Sequence, residues 1–264
     1  MFTRTLLLVL ALSLLDAQTA LQRQPAETVG RLKAEPEPRR KLSRDPLEFV
    51  QDLVSPVAAR GARAFSELTG SQMTEDAAPV PNSNFRAVNL DGDPDLEYVF
   101  TLLHGGITPS SSVVVVDRGA DGWYAVGTFR YWWHWNAEDT ERMVEVHAPF
   151  LLVRDIEGGS GLSETRVKIF RLWQGRLFKT FEAEEEATSG GAGLDRKLQS
   201  RIHFREAGFP LGTGLEVRND ETTSSAETRW RPVRRRSCTG YAWVPRSFSF
   251  EASAMATREF CQSR

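Results

Sequence analysis

Residues 89 to 97 read Asn89-Leu90-Asp91-Gly92-Asp93-Pro94-Asp95-Leu96-Glu97. Counted from Asn89 as position 1, side-chain oxygens stand at positions 1, 3, 5 and 9. A hard cation such as Ca²⁺ takes about six to eight oxygen ligands, and alternate positions of a short loop can converge on one ion. Asn89, Asp91, Asp93 and Glu97 are therefore candidate metal ligands, and calcium is the candidate cofactor. The alternative is a polar turn whose carboxylates accept hydrogen bonds from the backbone N–H groups of the turn itself.

A second stretch could bind rather than ligate. Residues 129 to 135 read FRYWWHW. In a strand, Phe129, Tyr131, Trp133 and Trp135 share one face, and Arg130, Trp132 and His134 share the other. The first row suits a core. The second makes Trp132, flanked by Arg130 and His134, a candidate platform for a sugar or a peptide, the alternative being a Trp covered by a loop or by the N-terminal helices.

The four histidines, His104, His134, His147 and His203, show no HxH or HExxH spacing, so zinc has no local support. His104-Gly105-Gly106 is similar to oxyanion-hole loops, but no G-x-S-x-G elbow accompanies it. No residue is assigned a catalytic role. A hydrolase would have to gather its groups from separated loops.

The elements that must position these residues are mostly strands. Tyr98, Val99 and Phe100 turn the chain apolar directly after the acidic loop, so the loop feeds a strand. From residue 85 onward, segments such as LEYVFTLL, SSVVVVD, TRVKIFRLW, GLEVRND and YAWVPRSFSFE are rich in β-branched and aromatic residues and separated by Gly-bearing turns. Helical patterns of ten or more residues are absent there, which argues against a doubly wound α/β fold. The expected fold is mainly β, with antiparallel hairpins forming a propeller-like fragment, a sandwich or a barrel. Residues 111–129 and 165–183 repeat one design, an apolar strand, a Gly-bearing turn beside Trp123 or Trp173, and a second apolar strand. Residues 182–200, acidic and then Gly-rich, read as a long loop with a short helical turn at the end.

Ahead of the β region lies a helical segment at 45–70. Asp45-Pro46-Leu47-Glu48 supplies a capping side chain, a Pro at the first helical position and a Glu three residues after the cap. Ser55-Pro56 restarts the pattern, which runs to Gly70. Phe49, Leu53, Val57 and Phe65 are its expected buried face. A Gly/Pro/Ser/Asn-rich loop at 70–84 separates it from the domain at 85–264.

The acidic stretch resembles the loop of FG-GAP and VCBS-type repeats, D-x-(D/N)-x-D-G-x-x-(D/E) followed by apolar residues. Those repeats are blades of integrin-like β-propellers, common in exported bacterial proteins. Asn89, Asp91, Asp93 and Glu97 match positions 1, 3, 5 and 9, with Asn in place of Asp at the first and Pro94 in place of Gly at the sixth. The resemblance covers residues 85–129 and implies a blade-like hairpin with bound calcium.

The ends set the compartment. Arg4 precedes an apolar run from Leu6 to Leu15 that Asp16 stops, the pattern of a secretory signal over residues 1–20. No later stretch approaches the ~20 apolar residues of a membrane span. Residues 21–44 are charged and Pro-bearing and read as a disordered arm. The expected location is periplasmic or secreted, where Cys238 and Cys261, the only cysteines, would form one disulfide. A formal net charge of −2 gives no pull toward nucleic acid. Arg229, Arg231, Arg234, Arg235 and Arg236 form a cluster with residues 182–186 as a possible acidic counterpart. The expected function is an exported binding module with a protein or glycan partner in the envelope or outside the cell, the alternatives being a secreted hydrolase or a carbohydrate-binding module.

Overall fold

A computed structural model of the protein describes residues 35–71, 84–104, 110–132, 143–159, 162–191, 194–207, 211–225 and 232–262. The elements are β1 (Arg40–Lys41), α1 (Pro46–Leu53), α2 (Ala58–Thr69), β2 (Asn84–Val88), β3 (Glu97–His104), β4 (Ser110–Gly119), β5 (Gly122–Trp132), β6 (Val144–His147) and β7 (Phe150–Gly159). They continue with β8 (Leu162–Trp173), β9 (Arg176–Gly191), β10 (Leu194–Glu206), β11 (Thr213–Ser225), β12 (Val233–Val244), β13 (Ser249–Ala252) and α3 (Ala254–Cys261).

Two antiparallel sheets result. The five-stranded sheet runs in the order β1-β5-β4-β3-β2, and the eight-stranded sheet is an unbroken meander from β13 to β6. The fold is mainly β and sandwich-like, and neither sheet closes into a barrel. Val113, Val114, Val115 and Val116 are all fully buried, because β4 is covered on both faces, and such a strand needs an unbroken apolar run. Val113 and Val115 join Val99 and Val126 against Leu151, Val153, Phe170 and Leu172 of the larger sheet. Val114 and Val116 join Phe100 and Leu102 against Phe49, Leu53, Phe65 and Leu68 of the helices. Val115 pairs with Gly127 and Val116 with Ala125, so Val126 is the extra residue of a bulge in β5; it joins the core between the sheets, and Ala125 joins the one under the helices.

The larger sheet has a further core on its other face. Phe150, Leu152, Ile169 and Phe181 from the β7–β9 region meet Leu215, Val217 and Phe250 from β11 and β13. The β8–β9 ladder is irregular at two places, between Thr165 and Arg166 and between Ile169 and Phe170, and such irregularities bend and twist a strand pair locally.

The helical segment follows its capping signals. Asp45 Oδ1 accepts from the Leu47 N–H at 2.8 Å, Pro46 opens α1, and Gly70 ends α2 at φ 71°. Val57, expected inside, precedes α2 as its N-cap and is exposed.

Three expectations need correction. Residues 35–44, the end of the expected disordered arm, form an ordered strap. The Glu37 N–H donates to the Leu177 carbonyl at 2.7 Å and the Leu42 N–H to the Trp123 carbonyl at 2.8 Å, so the strap joins both sheets through backbone groups that composition cannot reveal. Residues 182–191, expected as loop, complete β9, with Glu182, Glu184 and Glu185 paired to Arg166 of β8, Arg196 of β10 and Arg154 of β7. The domain expected to be wholly β ends in the helix α3. The signal segment at 1–20, the remainder of the arm and most of the loop at 70–84 lie outside the described residues.

Candidate functional site

The acidic loop joins β2 to β3, with Glu97 as the first residue of β3. Its turn is built by its own side chains. Asn89 Oδ1 accepts from the Gly92 N–H at 2.7 Å, and Asn89 Nδ2 donates to the Asp93 carbonyl at 2.5 Å. Asp91 Oδ1 accepts from the Asp93 N–H at 3.0 Å and Asp93 Oδ1 from the Asp95 N–H at 2.8 Å. The left-handed residue is Gly92, at φ 85°, so Pro94 at position 6 carries no demand for positive φ. Leu90, 1% exposed, is part of the core between the sheets and pins the loop to them.

These bonds bring Asp91, Asp93 and Glu97 together. One carboxylate oxygen of each lies within 4.8 Å of the others. Asn89, grouped with them by spacing, has both ends of its amide engaged in the turn. Glu97 is fully buried. Its Oε2 accepts from the Leu90 N–H, and its Oε1 has no hydrogen-bond partner. Burial pushes the Glu97 carboxyl up to about 7, the Leu90 N–H works against that rise, and the charges of Asp91, Asp117 and Asp93 add to it.

Asp117, which spacing did not single out, belongs to the same environment. It follows Val116, the register partner of Tyr98, and so stands at the same end of the sheet as Glu97. It is 3% exposed, and burial pushes it up to about 6, with Asp91 and Asp93 contributing. Its clue in the sequence is an acidic residue ending the valine run. The arrangement is a concentration of negative charge with one buried acceptor left over, chemistry suited to a hard cation held by oxygen.

The other candidates separate. Arg130 and Trp132 lie on β5, paired with Ser112 and Ser110 of β4, but their side chains and all of His134 lie outside what the structure describes. His147 shares a face of β6 with Glu145, with Nε2 and Oε2 3.1 Å apart, and its ring stacks on Phe204 at 4.3 Å. Among the described residues, no hydroxyl or thiol hydrogen-bonds that ring. Cys238 and Cys261 are bridged, with Cα atoms 5.9 Å apart. Arg234 and Arg236 pair with Asp220, not with residues 182–186. Arg229 and Arg231 lie outside the described residues.

No helix among the described residues is long and apolar enough to cross a membrane. Comparison with protein-family models, with curated proteins and with solved structures finds no match.

Proposed function

We propose that the protein is an exported binding module whose β2–β3 loop holds a calcium ion through Asp91, Asp93 and Glu97. The observation that carries this reading is Glu97 Oε1, a buried acceptor with no donor beside two other carboxylates. Such an atom costs about 1–3 kcal/mol when left unmatched, and a cation would offset that cost together with the mutual repulsion of the acids. Asn89 and the Asp caps hold the turn in shape, and the resemblance to FG-GAP and VCBS-type loops points to the same ion. With the ion in place, the loop would be a rigid edge of the sandwich, presented to a protein or glycan partner in the envelope or outside the cell.

Calorimetric unfolding of the full chain with calcium and then with chelator tests the reading. The Tm is expected to rise with calcium concentration, equivalent to about 2.7 kcal/mol at a hundredfold excess over Kd, and to fall back with chelator. The response should vanish in Glu97→Gln. An unchanged Tm at millimolar calcium overturns the proposal.

A further inference from the structure

The eight-stranded sheet carries a cavity of about 260 Å³ on the face turned away from the five-stranded sheet. The register explains why it exists. Ser200 of β10 pairs with Asn219 of β11, and Asn219 with Ser237 of β12, so three short polar side chains stand side by side across three strands. The next row outward is Leu198, Glu221 and Arg235, and Val217 lies on the inward side. Short side chains between longer ones leave a hollow, and all of these residues line it.

The lining has a definite chemistry. Arg196 is held between Glu184, at 3.1 Å, and Glu221, at 2.8 Å. With Arg235 the wall therefore carries two positive and two negative charges. A balanced wall selects neither an anion nor a cation. Ser200 is 7% exposed, and its Oγ has no hydrogen-bond partner. Asn219 and Ser237 add an amide and a hydroxyl beside it. Val217 and Leu198 supply apolar surface, and Tyr241 adds an aromatic ring set edge-on against Phe181 at 4.9 Å.

A ligand that satisfies such a wall is uncharged, has several adjacent hydroxyls and turns one C–H face toward apolar side chains. The volume lies below the ~300–1,000 Å³ of clefts for drug-sized molecules, which suits a single ring. We propose that this cavity binds one pyranose unit of a glycan. The site is separate from the β2–β3 loop and does not depend on the cation reading.

Chemical-shift and saturation-transfer titrations of the full chain with methyl α-D-glucoside, methyl α-D-mannoside and N-acetylglucosamine test it, with glycine and inorganic phosphate as charged probes. At least one of the three sugars should bind saturably while glycine and phosphate do not. Ser237→Leu, at an exposed position, should weaken the sugar about tenfold or more while leaving the calcium response of the Tm unchanged. Ser200→Val, which removes an unmatched hydroxyl, should retain or raise the Tm while also weakening the sugar. Failure of all three sugars to bind overturns the proposal. So does preference for glycine or phosphate, or sugar binding that neither variant changes.

Discussion

Glu97 and Glu216 are both fully buried glutamates with opposite company. Burial alone would raise the Glu216 carboxyl, but hydrogen bonds from Arg218 and Arg205 outweigh it and hold the group below its ordinary value of 4.5. A lowered folded pKa adds stability that is fully present above the ordinary value and is lost as pH falls through the folded one. Urea unfolding between about pH 7 and about pH 3 should therefore show the wild type losing stability below about 4.5. Glu216→Gln should be less stable at neutral pH and lose less on acidification. An equal acid slope in both proteins would refute this role. Glu97 has carboxylates where Glu216 has guanidinium groups, so Glu97→Gln should raise the Tm in chelator and leave it below the wild type in calcium. Curves that do not cross would count against the cation site.

At the scale of elements, the position of α3 depends on the absence of side chains beneath it. A Cβ on Gly240 would run into the backbone of Ala256 and Thr257, and one on Gly214 into the ring of Phe260. The helix thus lies directly on β11 and β12. Ser253 N–H donates to the Gly240 carbonyl at 3.0 Å, and the Gly240 N–H donates to Thr257 Oγ1 at 2.9 Å. Gly240→Ala has no flexible neighbour to displace, so it should cost about 1–3 kcal/mol through overpacking. A denaturation midpoint equal to that of the wild type would show that the helix can lift without loss. β9 shows the converse: its acidic run is polar enough to read as loop, yet Lys179, Arg154 and Arg196 supply the counter-charges that let it pair as a strand.

Across the whole molecule, long-range ties connect the layers. The strap at 35–44 reaches β9, β5 and α2, where Arg40 Nη2 donates to the Leu68 carbonyl at 2.7 Å. The bridge between Cys238 and Cys261 closes a sequence separation of 23 and fastens α3 to β12. In the chain-entropy account a loop of that length adds about 3 kcal/mol. Replacing both cysteines by serine should lower the unfolding free energy by about that amount, and reductant should then have no further effect on the variant. A double variant as stable as the oxidised wild type would show that the bridge adds nothing.

Local chemistry was legible along the chain. The caps at Asp45 and Pro46, the stop at Gly70, the hairpins β4–β5 and β8–β9 and the one pair of cysteines all follow from short-range preferences, which act whatever the rest of the chain does. The turn at Asn89 to Glu97 was also legible, because its side chains cap backbone groups only a few residues away. Other features depend on residues far apart in sequence. Pairing of Ser200, Asn219 and Ser237 requires the register of three strands, and Asp117 joins the acidic loop only because β3 and β4 lie side by side. The order in the strap comes from partners as distant as Leu177. Tertiary structure decided these because a hydrogen bond or a cavity between distant residues leaves no periodicity in the chain. Its sites arise where strands meet.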